Sequence, residues 1–303
     1  MRNTLIVILG PTASGKTELS IEIASYFGTE IISSDSRQFY REMKIGTSVP
    51  DDEQLNRIKH HFIRFISIHD YYNAFLYEKD VLNILPSLFK KNSVVIMCGG
   101  SGLYIDAVCK GMDYIPDIDP AIREKYSKLC HEEGIESLRI ALKMMDPEYY
   151  RIVDLRNPRR IIRALEICEA AGRPYSSFLK KELPGREFRI IKVGLERPRD
   201  ELYRRINERV DRMMAGGMEE EARDLYGFRH LNALQTVGYR ELFDYFDRKI
   251  DLDSAINLIK QNTRRYAKRQ ITWWARDDGI KWFHPDQKEE IIRFLEEELA
   301  EEY

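Results

Sequence analysis

Long apolar runs are missing from this chain. Nowhere in the 303 residues does an uninterrupted apolar stretch approach the ~18 residues that crossing a bilayer requires. The first such run, Leu5 to Leu9, is too short even for a signal-peptide core, so neither membrane insertion nor export is expected. Cysteine is sparse as well. Cys98, Cys109, Cys130 and Cys168 form no C-x-x-C pair, which argues against a zinc site or a disulfide framework and reads as reduced thiols in a cytoplasmic protein. The six histidines lack H-x-x-x-H spacing, so a metal cage built by the protein alone is not expected. Internal repeats and low-complexity tracts are absent.

Net charge is also small, at −2, but it conceals segregation along the chain. Between Ser254 and Arg276 stand six basic residues (Lys260, Arg264, Arg265, Lys268, Arg269 and Arg276) and no acid, whereas Pro285 to Tyr303 carries eight acids and two bases. A near-neutral chain of this kind can still present a cationic face. With 43% apolar and 32% charged residues, it can bury one full core and carry a second, smaller module.

Five short runs read as strands: Thr4 to Leu9, Glu30 to Ser33, Val94 to Cys98, Ile190 to Leu195 and Ile280 to Phe283. The first three are continuously apolar, as strands covered on both faces are, and helical patterns separate them. The expected fold class is therefore α/β, a P-loop parallel sheet flanked by helices. After the first strand, Leu19, Ile23, Tyr26 and Phe27 form a stripe at helical spacing that can dock on the sheet. From about Asp117 to Gly185 the strand signal vanishes, which predicts a mainly helical insertion at 116–187 between core segments 1–115 and 188–303. Two long helices are expected beyond it, Arg199 to Tyr226 and Leu252 to Arg276. In the first of them Leu202, Ile206, Val210 and Met213 make the buried stripe, and Arg205, Arg209 and Arg212 project from another side, where one of them can reach a polyphosphate.

The sequence GPTASGKT, residues 10–17, matches G-x-x-x-x-G-K-[ST] between an apolar strand and an amphipathic helix. Gly10 and Gly15 let the backbone of Pro11, Thr12, Ala13 and Ser14 wrap so that N–H groups point at an anion, and the helix N-terminus adds its positive end. Lys16 supplies a full charge. Thr17 offers a hydroxyl to Mg²⁺ bridging phosphate oxygens. A motor ATPase adds an acid at the end of a second apolar strand, but SVVIMC runs into GGSGLY without one. The nearest acid in such a position is Asp35, after the second strand, where it faces the phosphate loop or merely caps a turn. In NPRRIIRALE, the guanidinium groups of Arg159, Arg160 and Arg163 share one side of a helix, with Ile161, Ile162 and Leu165 facing elsewhere. Arg264 and Lys268, like Arg265 and Arg269, stack one turn apart with no acid close in sequence, a repulsion that nucleic-acid phosphates would relieve. Trp273, Trp274 and Tyr266 are either core residues or base-stacking platforms.

Taken in order, GPTASGKT, SSDSRQFYREMKIGT, the pair His60–His61, GGSGLY, Asp146–Pro147, NPRRIIRALE, RINERVDRMM with GGMEEE, TVGYRE and AKRQITWW resemble the tRNA dimethylallyltransferase family over nearly the whole chain. The resemblance implies transfer of a dimethylallyl group from dimethylallyl diphosphate to the exocyclic amine of the adenine 3′ of a tRNA anticodon. In that reading the loop holds a leaving diphosphate, Mg²⁺ is the cofactor, and Lys16, Arg205, Ser101 and Asp35 serve the chemistry, with Asp35 accepting the amine proton. It also implies tRNA contacts by Asp35, Ser36, Arg37, Gln38, Ser101, Arg123 and the helix Arg159, Arg160, Ile161, Ile162, Arg163. Many relatives carry threonine where this chain has Ser101, which keeps the hydroxyl and loses the methyl. Arg123 falls in a stretch with little family signal. The expected partners are the anticodon stem-loop of tRNA and dimethylallyl diphosphate, with no membrane, and a monomer is expected. Competing readings are a small-molecule kinase with ATP in the loop, a nucleotide-gated RNA-binding module, and a prenyltransferase acting on free adenine nucleotides.

Overall fold

The computed structural model describes residues 2–113, 119–179 and 185–301. Its sheet consists of β1 (Thr4–Leu9), β2 (Ile31–Ser33), β3 (His60–His61), β4 (Val94–Gly99), β5 (Arg189–Leu195) and β6 (Ile280–Phe283), all parallel in the order β3-β2-β4-β1-β5-β6. β1 lies between β4 and β5 and is buried along its whole length. Because side chains alternate across a strand, Leu5, Val7 and Leu9 enter one core layer and Ile6 and Ile8 the other. That two-sided burial is why β1 reads as a continuous apolar run.

The α/β expectation holds, and so do the five strands to within a residue at each end. The sixth, β3, is only two residues long and histidine-rich, too short for any periodicity to reveal it. One predicted helix is broken. Arg199–Ala215 and Met218–Asp224 are separate, because Gly216 and Gly217 interrupt the chain and Gly217 takes φ 95°. Leu202, Ile206 and Val210 are buried as expected, whereas Met213 is only partly covered. In the first helix, Lys16–Phe27, Leu19 and Ile23 are buried and Phe27 packs against them, but Tyr26 is exposed and bonds Glu296 instead of docking on the sheet.

The chain forms two compact units, residues 1–109 with 186–303, and residues 110–185. The expected start of the helical segment, near residue 116, lies outside the described residues. The smaller unit has a core of its own, with Tyr126, Leu138, Leu142, Ile161, Ala164 and Leu165 drawn from three helices, Pro120–Glu133, Ile135–Met145 and Pro158–Ala171. Asp146, fully buried, caps the helix Pro147–Ile152 through Tyr149 N–H and also accepts from Ser176 N–H and Oγ, which explains the Asp-Pro pair. No helix among the described residues is long and apolar enough to cross a membrane.

Candidate active site

β1 delivers the chain into the loop 10–15 at the carboxyl edge of the sheet, where parallel α/β folds bind ligands. A Cβ on Gly10 would lie 2.6 Å from the Leu195 carbonyl, so only glycine lets the loop start there. Ala13 takes φ 65°, a left-handed value unusual for a residue with a side chain. The outward-facing carbonyls are clamped by side chains: Pro11 O by Lys16 Nζ at 2.7 Å, Ala13 O by Arg205 Nε at 3.0 Å, and Ser14 O by Arg197 Nε at 3.0 Å. No side chain caps the helix Lys16–Phe27, so its first N–H groups stay available to an anion.

Across the cleft, β2 ends at Ser33 and the chain turns through Ser34 to Gln38. Asp35 Oδ1 accepts Arg37 N–H at 3.0 Å, so the carboxylate caps its own turn, and the same side chain lines the cavity beside the loop. Both sequence readings of Asp35 are realised together. Ser101 Oγ accepts Ser36 N–H at 3.0 Å and bonds Ser36 Oγ at 3.1 Å, which pins this turn to the end of β4. Gln38 is buried and donates to the Thr47 and Ser48 carbonyls, while Arg37 donates to the carbonyls of Asn232 and Ala233.

The cavity between these loops is open to solvent and encloses about 560 Å³ including its mouth. Lys16, Thr12, Thr17 and Arg209 make its cationic, hydroxyl-bearing side, and Ile31, Pro50 and Ile63 contribute apolar wall. Burial pulls the Lys16 ammonium down to about 8, with Cys98 and Asp35 opposing and Arg209 reinforcing the shift. Burial likewise lowers Arg209 from its ordinary value, opposed by Asp35, and pushes the Tyr266 phenol up to about 12. His60, also on the wall, has Nδ1 2.8 Å from Ile58 O, and burial lowers its pKa from the ordinary imidazole value against the opposing pull of that carbonyl.

Three further residues line the cavity, of which the sequence offers Arg209 as one of three arginines and Tyr266 as one of three aromatics, and does not single out Gln270. Arg209 reaches Thr12 Oγ1 at 3.2 Å and Ser48 Oγ at 2.7 Å, so of the arginines on the helix Arg199–Ala215 it is Arg209 that lines the cavity while Arg205 grips the back of the loop. Their i, i+4 spacing placed both on one face, and only the packing of the helix separates their roles. Tyr266 and Gln270, one turn apart on the helix Leu252–Trp274, also line the cavity. The sequence leaves Tyr266 open between core and stacking platform, and nothing in the spacing distinguishes Gln270 from an ordinary core residue.

The expected tRNA-binding residues divide. Arg159 and Arg160 are exposed, but Ile161 is fully buried in the core of the smaller unit, which removes its side chain from any surface contact, and Ile162 is partly buried against that core. Arg163 and Arg123 both pair with buried Glu166, at 3.2 Å and 2.7 Å. On the helix Leu252–Trp274, Lys260 pairs with Asp211 at 2.6 Å, whereas Arg264 bonds the neutral amide of Asn207 at 2.7 Å, which satisfies its donor without neutralising its charge. Trp274 belongs to the core, whereas Trp273 is 41% exposed and bonds Asp106.

Comparison with known proteins agrees with this architecture. The family model described as IPP transferase matches residues 38–277. A tRNA dimethylallyltransferase of Bacteroides fragilis is 53% identical over 293 residues, covering 97% of each chain, and one of Christiangramia forsetii is 52% identical over 300 residues. Among solved structures, the tRNA isopentenylpyrophosphate transferase of Bacillus halodurans superposes with TM-score 0.73 at 33% identity, over 99% of this chain and 98% of that one. A eukaryotic dimethylallyltransferase acting on tRNA gives TM-score 0.73 at 25% identity, over 90% of this chain and 70% of that one. With a phosphate loop after β1, an acid after β2 and relatives matched from end to end, the chain belongs to the tRNA dimethylallyltransferase family.

Proposed function

We propose that this protein transfers the dimethylallyl group of dimethylallyl diphosphate to the N6 amine of the adenine 3′ to the anticodon of tRNA, releasing diphosphate. The observation that carries the reading is that the phosphate loop and Asp35 line one cavity, while β4 ends in Gly99, Gly100 and Ser101 without the acid a nucleotide hydrolase uses.

The adenine amine is a weak nucleophile because its lone pair is delocalised into the ring, so the allylic carbon must already be cationic when it is attacked. The carbon–oxygen bond breaks and its electron pair leaves on the diphosphate. The amine nitrogen then bonds to that carbon, and one of its protons passes to Asp35. Lys16, Arg209 and the loop N–H groups hold the charge that grows on the leaving oxygens; removing one such donor typically slows turnover by about 10²–10³. A neutral Tyr266 and buried Ser101 bound the acceptor side, with Ser36 and Arg37 beside them.

The donors available to a metal are hydroxyl and carboxylate oxygens, and no group of three His, Cys, Asp or Glu gathers among the described residues. That set fits Mg²⁺, a hard cation that keeps several waters and is bound largely through substrate phosphates, with Thr17 as its protein ligand. When bound, it supplies Lewis-acid stabilisation of the diphosphate. Arg159 and Arg160, exposed on the smaller unit, are the phosphate contacts proposed for tRNA, and residues 116–187 are proposed as its binding insertion.

The test is incubation with unmodified tRNA, Mg²⁺ and either dimethylallyl diphosphate or ATP, followed by nucleoside mass analysis. A five-carbon gain on adenosine with the first donor is expected. Phosphoryl transfer from ATP to a small acceptor, with no change in the RNA, would establish the kinase reading instead.

A further inference from the structure

The two loops that would face each other across the reacting bond are tied by one side chain. Gln270 Oε1 accepts Thr12 N–H at 2.8 Å, and Gln270 Nε2 donates to Gly100 O at 2.8 Å. The amide is 6% exposed and lines the cavity. Its fit is close, since a Cβ on Gly100 would lie 2.4 Å from Nε2. Each contact has a chemical consequence. Thr12 N–H belongs to the phosphate loop but is engaged by Gln270, so the loop has its curvature before any anion arrives. Gly100 O belongs to the turn that presents Ser101, whose Oγ in turn holds Ser36 N–H beside Asp35. One amide thus couples the diphosphate side to the acceptor side, and only a group with a donor and an acceptor on one planar head can make both bonds.

We propose that Gln270 is a positioning residue that sets the distance between the phosphate loop and the Ser101–Asp35 side, so that the allylic carbon and the amine nitrogen meet in line. It touches neither reacting atom. This rests on the transferase reading above, and small displacements between such elements act chiefly on turnover.

The experiment compares wild type, Gln270→Met and Gln270→Glu in single-turnover and steady-state prenylation of tRNA. Wild type must first add the five-carbon unit; if it does not, the transferase reading fails, and this proposal with it. Gln270→Met keeps the volume and loses both bonds, and is expected to lower kcat by about 30-fold or more while KM for both substrates stays within about threefold. A folded Gln270→Met with kcat within about threefold of wild type would overturn the proposal.

Gln270→Glu decides the matter should the methionine variant not fold. A neutral carboxyl accepts from Thr12 and donates to Gly100, whereas the ionised form has no proton to donate. Burial raises the pKa of such a carboxyl, so the rate ratio of variant to wild type is expected to climb about tenfold from about pH 8.5 to about pH 5.5. Lys16, Asp35, His60, Cys98, Arg209 and Tyr266 line the same cavity in both proteins, so the variant is read as a ratio to wild type at each pH. A flat ratio would overturn the proposal.

Discussion

At the residue scale, the chemistry depends on charges held where water is scarce. Lys16 is brought to about 8 mainly by burial, and a bound diphosphate favours its protonated form. The sign follows directly. Below about pH 8 the ammonium is already charged and binding moves no proton; above it, binding takes one up, so affinity falls by up to about tenfold per pH unit. Calorimetry of dimethylallyl diphosphate binding at pH ~9, in buffers of different ionisation enthalpy, should show this uptake. Lys16→Met should abolish it. The role proposed for Asp35 is a separate one, that of proton acceptor. Asp35→Ala is expected to lower the single-turnover rate by about 10²–10⁴ while tRNA affinity, followed by filter binding, changes no more than a few-fold. An equal loss of affinity would make Asp35 a recognition residue.

At the scale of elements, several short motifs make sense only as one packed cluster. Glu221, after the Gly216–Gly217 break, accepts from the N–H groups of Lys44, Ile45 and Gly46 and from Tyr239 OH at 2.6 Å. Tyr239 is fully buried, and its ring occupies the space a side chain on Gly46 would need, 2.6 Å from the ideal Cβ. Gly46→Ala should therefore destabilise the protein by about 1–3 kcal/mol through overpacking, read as a lowered midpoint in denaturant melts. The segment 44–46 lies just before Thr47 and Ser48, whose carbonyls hold Gln38 and whose Ser48 Oγ holds Arg209, so this cluster supports the cavity wall. None of this was legible from periodicity, because the backbone partners of Glu221 lie about 175 residues away.

At the scale of the whole molecule, function has to be divided between a compact unit holding the cavity and a smaller helical unit with its own core. The arginines of the smaller unit are not equivalent. Arg163 and Arg123 neutralise buried Glu166, whereas Arg159 and Arg160 present their charge at the surface. Arg159→Ala and Arg160→Ala are each expected to weaken tRNA binding and to reduce the slope of log affinity against log salt by about 1, without altering melting behaviour. A slope unchanged in both would leave them as a solvated charged face. Arg163→Ala is a different experiment, since it removes a partner from a buried carboxylate and acts on stability.

The linear chain by itself determined the parallel sheet, the phosphate loop, the acid after β2 and the helical character of the middle segment. Each of these is written in neighbouring residues, as a short continuous apolar run, a fixed glycine spacing or a capped helix, so local physics suffices to specify it. Only the tertiary structure decided that Arg209 rather than Arg205 lines the cavity, that Gln270 joins two loops, that Ile161 is core, and that Lys260 has an acid partner. Those outcomes depend on groups that folding alone brings together, across 258 residues for Gln270 and Thr12 and 197 for Arg209 and Thr12. A side chain's chemical role is set by what lies within hydrogen-bonding reach, and that neighbourhood comes into being when the elements pack.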